Sequence, residues 1–540
     1  MQMKRIVIFL LILFLFSSCT QYRKYENLEV LCKVWGFVKY HHPAFADPTT
    51  DADTELFELL PLVVDAGELE RNRILSEWIT GLGEFKENKA RYDSFENNPH
   101  CRMLADLNWI DDSKVLGREL SDKLKSLRYA DRTDNRYLQY GEARLDNPNE
   151  VKYDVKSPDI QLRLLALFRY WNLVEYFFPY KDLTDKKWDD VITEYLPKFI
   201  NAETAEDYQY AVNELFTETC DSHAFSDKGF IFGSRSIPVE TQIIEDKLIV
   251  TSSDKYASLG SSGLLPGDEI LTINGQSIAA VKTKVEKYVS SSTEAHRLNS
   301  LSFCALLSDD KTVNVRLRRD GAIRDIVCST VSIFDIYPLR FKQNDYYRNL
   351  GDSIAYLYLG SFENDPGIRE SLDKTKGVII DLRTYPTHEE HPLFWSYFLP
   401  TKTHVTTITF PMKSLPGYFE AREEYWGENN GTKRYAGKIV VLVNERTQSA
   451  AEYDAMILQS IPGTVVIGSG TSGADGNVIP VHLPGIFSYL TGLGIYYPDG
   501  TPTQRIGVRI DEKVRPTIQG IKEGRDEVLE RAIEIIRENK

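Results

Sequence analysis

The sequence predicts a multidomain α/β protein with a helical N-terminal region. Three observations predict it. Residues 25 to 225 read as mainly helical, residues 236 to 330 break into short β-type runs, and beyond 335 buried-type strands alternate with helical segments. At 540 residues, 42% hydrophobic and 26% charged, the chain can bury several cores and is not a wholly disordered polymer. Its net charge of −15, with no local basic cluster, argues against a phosphate-backbone partner, so no nucleic acid is expected.

The first residues read as a targeting segment. Lys4 and Arg5 precede an unbroken apolar run from Ile6 to Phe16, and Ser17, Ser18 and Cys19 follow. The run is too short to span a bilayer, which takes about 20 residues. Basic, then apolar, then small is the order of a secretory signal. Phe-Ser-Ser-Cys resembles a bacterial lipobox, which implies lipidation at Cys19, a signal over 1–19 and a tethered, otherwise soluble body. The alternative is an ordinary signal with an incidental cysteine. The other cysteines, Cys32, Cys101, Cys220, Cys304 and Cys328, are scattered without C-x-x-C spacing, which leaves zinc and thioredoxin-like readings unsupported.

The helical region contains a repeat. LCKVWGFVKYHHP (31–43) answers LFRYWNLVEYFFP (167–179): Trp35 with Trp171, Tyr40 with Tyr176 and Pro43 with Pro179, at a constant offset of 136 residues. Leu60-Pro61 answers Leu196-Pro197 at the same offset. Each copy reads as an aromatic-rich helix stopped by proline, then a second helix. The aromatic stripes and His41-His42 are expected as core packing. Residues 20–130 and 131–235 are taken as two helical regions. The polar stretch from 130 to 157 is expected as an exposed linker.

Between 236 and 330 the β-type runs include Lys247 to Thr251 and Thr312 to Leu317. Gly263-Leu-Leu-Pro-Gly-Asp-Glu-Ile-Leu-Thr-Ile-Asn-Gly275 places a turn at Pro266-Gly267, a strand at Ile270 to Ile273 and a hairpin turn at Asn274-Gly275. This string resembles the PDZ signature of bacterial proteases. The resemblance implies a PDZ-like domain that captures an extended peptide at a sheet edge.

Residues 331–540 form the α/β region. Gly377 to Arg383 and Lys438 to Val443 are near-continuous apolar strands, as a sheet covered on both faces requires. A helix from Ser449 to Gln459 and a strand at Thr464 to Ile467 follow. The chain closes on an amphipathic helix with Val528, Leu529, Ala532, Ile533 and Ile536 on one stripe. A serine at a helix start carries chemistry. The first amides of a helix lack internal acceptors, and charge developing on a carbonyl attacked by Ser449 would meet the Ala450 N–H and the positive end of the helix dipole. A plain helix cap is the structural alternative.

Asn444-Glu-Arg-Thr-Gln-Ser-Ala-Ala-Glu452 resembles the nucleophile segment of the C-terminal processing (tail-specific) serine peptidases. Gly468 to Asn477 resembles the family's glycine-bearing stretch, and Gly507-Val-Arg-Ile-Asp511 its closing string, with Ile510 where proline is usual. The resemblance implies a core like that of ClpP or crotonase and, with the front of the chain, a Bacteroidetes-type lipoprotein form. In one branch a lysine in the glycine-bearing stretch is the base, but Ala474 stands there. The tricorn-like branch uses a histidine ahead of the PDZ region, and Asp221-Ser222-His223-Ala224 resembles its string. That implies Ser449 as nucleophile, His223 as general base, Ser222 in support and the Ala450 N–H in the oxyanion hole. Gln504 replaces the branch's acid, so the residue orienting His223 is left open among Gln504, Glu452 and Asp475. After Asp381-Leu-Arg383 the family's asparagine and paired glycines are replaced by Thr384-Tyr-Pro-Thr-His388, where the Thr384 or Tyr385 amide remains available and Pro386 has none. His388-Glu-Glu-His391 is expected as a solvated loop with no metal.

The expected protein is a secreted, lipid-anchored serine endopeptidase of the cell envelope, periplasmic or outer-membrane facing. It acts on polypeptides and needs no cofactor. A peptide-binding lipoprotein on the same scaffold that has lost turnover is the second reading. A surface interaction lipoprotein is the third, and it leaves the Ser449 segment unexplained.

Overall fold

A computed structural model of the chain describes residues 2–132, 134, 136–140, 145–225, 231–340, 345–361, 367–387, 397–399, 401–427 and 434–538, with the side chains of 2–20, 140 and 340 outside that description. The chain forms two compact units. One comprises Met1–Thr219, Thr409–Ala421 and Val478–Leu493, and the other Cys220–Ile408, Arg422–Asn477 and Gly494–Lys540. The boundary at Cys220 puts the Asp221-Ser222-His223 segment in the same unit as Ser449. Among the described residues no helix is long and apolar enough to cross a membrane.

In the first unit the repeat is visible as structure. Helix α1 (Gln2–His41) is followed by α2 (Ala52–Val63), and α3 (Ile160–Phe177) by α4 (Trp188–Ile200). Trp35 Nε1 donates to the Ala52 carbonyl at 2.7 Å, and Trp171 Nε1 to the Trp188 carbonyl at 3.0 Å. The same indole thus ties the same helix start in both copies. Helices α1 and α3 meet at equivalent positions. Tyr40 and Tyr176 pack edge to face with centroids 5.6 Å apart. A Cβ on Gly36 would collide with Asn172, its counterpart. Two equivalent contacts four residues apart, in the same order, mean that the helices run parallel and in register. His41 stacks on Phe37 and bonds the Phe37 carbonyl at 2.9 Å, while His42 Nδ1 accepts the Ala44 amide at 3.1 Å, so both histidines are structural.

The stretch from 130 to 157 is not the exposed linker its polarity suggested. Tyr137, Leu138, Leu145, Asn147 and Glu150 in it are buried. Glu150 is a counter-ion: its carboxylate takes Lys39 Nζ at 2.5 Å and faces Arg169 Nε at 3.2 Å. Arg169 also pairs with Asp53 and donates to the Val151 and His482 carbonyls, each at 2.9 Å. Two cations and two anions from both repeats cancel one another. A buried charge is tolerated when it is paired and hydrogen-bonded, and sequence polarity cannot distinguish such a group from a solvated one. Cys32, Cys101 and Cys328 are free thiols.

Among the described residues, two sheets of five or more strands form the body of the second unit. The first is antiparallel. Strands β1 (Glu240–Ile244), β2 (Lys247–Ser252), β3 (Glu269–Ile273), β4 (Thr312–Arg319) and β5 (Ala322–Ser329) lie in the spatial order β5-β4-β3-β2-β1. Asn274 and Gly275 (φ 49° and 77°) make the expected two-residue turn, with Ile273 paired to Gln276. The second sheet holds β6 (Tyr347–Asn349), β7 (Ile354–Tyr358), β8 (Gly377–Asp381), β9 (Lys438–Val443), β10 (Val465–Gly468) and β11 (Glu512–Lys513) in that order, parallel from β7 onward.

Both faces of this second sheet are covered, which is why β9 reads as one apolar run. Ile439, Val441 and Val443 point into the core shared with Ala451, Ala455 and Leu458 of helix α5 (Ala450–Gln459). Val440 and Leu442 face Val528, Ala532 and Ile536 of the closing helix α6 (Glu527–Glu538), the stripe expected from the sequence. Arg383 pins α6 to the sheet by bridging Asp381 (2.6 Å) and Asp526 (2.7 Å).

Candidate active site

Loops following β8, β9 and β10 all leave the C-terminal edge of the parallel strands, where open α/β sheets place their ligands. The loop after β9 carries Ser449. Its backbone has φ 54° and ψ −123°. An ordinary N-cap is extended, and a left-handed angle on a non-glycine residue stores about 1–3 kcal/mol of strain. That strain is held by neighbours. The Ser449 amide donates to the Ala474 carbonyl at 3.0 Å, the Ser472 amide to the Thr447 carbonyl at 2.9 Å, and Thr447 Oγ1 to the Leu382 carbonyl at 2.7 Å. The last bond brings the loop holding Thr384 and Tyr385 beside the serine turn. Residues 388–391 lie outside the described residues. Ala450 is the first residue of α5, so its amide has no intrahelical acceptor.

The Asp221-Ser222-His223 segment reaches the same place. Gln448 Nε2 donates to the Ser222 carbonyl at 3.2 Å, and Ser222 Oγ to the Ser472 carbonyl at 3.0 Å. The structure thus brings the residue preceding Ser449 against the residue preceding His223, across more than two hundred positions of sequence. Ser222 also accepts the Ser292 amide at 2.8 Å, so its hydroxyl fastens the segment to its surroundings. The Ser222 amide donates to Ser292 Oγ at 2.9 Å and the Asp221 amide to Ser290 Oγ at 3.0 Å. Ser290 and Ser292 had no signal in the sequence: hydroxyls clamping a distant backbone have no period and no spacing rule. His223 is buried, and burial pushes its imidazole below the ordinary value while Asp221, with Oδ1 3.7 Å from Nδ1, pulls it back.

The three candidates for orienting His223 fall in different places. Gln504 Nε2 donates to the Cys220 carbonyl and to Ser292 Oγ, each at 3.2 Å, so it braces the backbone ahead of the histidine. Glu452 lies beneath the serine turn. It accepts Thr471 Oγ1 (2.5 Å) and the amides of Gly473 (2.8 Å), Ala474 (3.0 Å) and Ser449 (3.3 Å). Asp475 is buried beside it and accepts the Gly476 amide at 2.6 Å. Burial pushes Asp475 well above the ordinary carboxylate range, and the Glu452 charge adds to that.

Burial also pushes the Glu452 carboxyl up to about 7, against the four donors that favour its anion. A folded value above the unfolded one near 4.5 means that protonation favours the folded state. The contribution is fully present below pH 4.5 and is lost as pH rises through about 7. Melting temperature should therefore fall between pH 5 and 8, and Glu452→Gln should flatten that fall. Equal slopes in both proteins would contradict the assignment.

Strand β1 is joined to the loop ahead of Ser449. Arg446 pairs with Glu240 at 3.3 Å, and Gln242 Nε2 donates to Glu445. Burial raises Glu240, but Arg446 and Lys255 outweigh it and hold the carboxyl at about 2.

Residues 353–514, which contain the Ser449 turn, match the model of Peptidase family S41. Among solved structures the chain is similar to mature CPAF (14% identity, TM-score 0.54, covering 70% of this chain and 98% of that one). It is also similar to mature CPAF complexed with lactacystin (14%, 0.53, 70% and 98%) and to a serine-to-alanine mutant of CPAF (15%, 0.55, 71% and 98%). At these identities the likeness is one of fold, and it agrees with the multidomain α/β architecture expected from the sequence. The chain carries a peptidase family S41 domain over residues 353–514, and its enzyme class is that of a serine-type peptidase.

Proposed function

We propose that the protein is a secreted, lipid-anchored serine endopeptidase in which Ser449 is the nucleophile and His223 the base. The observation that carries this reading is the strained Ser449 turn bonded, through Gln448 and Ser472, to the segment that ends in His223. Ser449 Oγ attacks the substrate carbonyl carbon and its proton passes to His223. The Ala450 N–H receives the developing oxyanion. Collapse breaks the C–N bond and the proton goes to the leaving amine. Water then releases the acyl group by the same route. The sheet β1–β5 acts as a PDZ-like domain that recruits the polypeptide, and its tie to Arg446 makes it contiguous with the loop carrying the nucleophile.

An active-site-directed fluorophosphonate should label the wild-type protein. A folded wild-type protein that never labels would favour the second reading, a peptide-binding lipoprotein without turnover. Gln504 in place of the branch's acid and the altered loop from Thr384 favour that reading.

Anchoring is read from Cys19 and the residues before it, and places the enzyme in the cell envelope, periplasmic or outer-membrane facing. Cys19→Ser should move the protein from the membrane to the soluble fraction on cell fractionation. Unchanged partitioning would refute the lipid anchor.

A further inference from the structure

We propose that Asp221 is the positioning residue for His223, supplying the carboxylate that Gln504 does not. The proposal rests on the reading of His223 as the base for Ser449. A histidine that takes a proton at one ring nitrogen must carry hydrogen on the other and be held there, usually by a carboxylate. The Ser222 hydroxyl gives its hydrogen to the Ser472 carbonyl and accepts the Ser292 amide. Gln504 directs its amide hydrogens at the Cys220 carbonyl and Ser292 Oγ. Glu452 spends both oxygens on the serine turn and the 471–474 loop.

Asp221 differs. It is fully buried, and its Oδ1 lies 3.7 Å from His223 Nδ1, the distance of a pair that closes to a hydrogen bond with a small ring movement. The elements bonded to the segment present Ser290, Ser292, Gln448, Ser472 and Gln504, none of which ionises. Asp221 is a charge whose field acts on the ring.

Asp221 also has a local structural role. Its Oδ1 accepts the His223 backbone amide at 3.1 Å, an Asx turn. Asparagine makes that turn equally well, so Asp221→Asn removes the charge and keeps the backbone. Asp221→Ser is a second neutral variant able to make a similar turn. The readouts are the rate of fluorophosphonate labelling across pH and the titration of the His223 ring by NMR in the full chain. Both variants should fold as the wild type does by circular dichroism. Labelling at pH 7 should slow by at least about tenfold. The acid limb of the profile and the midpoint of His223 should both move to lower pH, because the charge that favoured the imidazolium is gone. Wild-type rate and profile in Asp221→Asn would overturn the proposal. So would a Gln504→Ala variant that reproduced the shift while Asp221→Asn did not. Unchanged labelling in His223→Ala would remove the base reading itself, an outcome distinct from a failure confined to Asp221.

Discussion

Ser449→Ala abolishes fluorophosphonate labelling and lowers peptide hydrolysis by about 10⁴-fold or more, leaving a fold that still melts cooperatively. Losing the nucleophile of a serine peptidase removes covalent catalysis and leaves only binding and the oxyanion site. At about 1.4 kcal/mol per factor of ten, the loss is of order 5 kcal/mol of barrier. The backbone adds a second test on the same residue. At φ 54° alanine keeps the strain that serine bears, whereas glycine relieves it. Ser449→Gly should therefore be as inactive as Ser449→Ala yet melt at an equal or higher temperature. Calorimetry on the two variants, with labelling measured in parallel, separates strain from chemistry. Full hydrolysis by Ser449→Ala would place the nucleophile elsewhere.

The largest effect on stability is expected from Arg169→Ala in the first unit. That arginine pairs with Asp53, faces Glu150 at 3.2 Å and fills two backbone carbonyls. Removing it leaves Asp53 with the Tyr153 hydroxyl at 3.0 Å and Glu150 with Lys39. Breaking a buried ion pair from one side costs about 3–5 kcal/mol, because the remaining charge is stranded away from water. Urea unfolding followed by far-ultraviolet circular dichroism should show the unfolding free energy falling by that amount. A shift under about 1 kcal/mol would mean that water or repacking satisfies the carboxylates, and the network would then not be a structural knot.

How much of this was legible in the sequence depends on the kind of signal. Strand β9 was legible because both of its faces are buried and nothing polar interrupts it. The Ser449 turn was legible because a buried strand, a short polar loop and a helix start leave a serine one place to be. Glu150 was misread because burial of a charge is decided by Lys39 and Arg169, far away in sequence, and composition sees only polarity. Asp221 stood in the quoted string beside His223, but its closeness to the ring emerges only once Ser290 and Ser292 fix the local backbone. Gly36 offered a clue: glycine weakens a helix interior, and its counterpart at the repeat offset is the larger Asn172.

Two separate copies of one hairpin, associating side by side, would have to bring identical residues to the crossing point. Two asparagines would overlap there and two glycines would leave a gap. A single polypeptide holding both halves escapes this constraint, because each half can be fitted to the other and no longer to itself. The mismatch at 36 and 172 makes the halves non-interchangeable: each has become the other's mould, and neither is suited to pairing with its own duplicate.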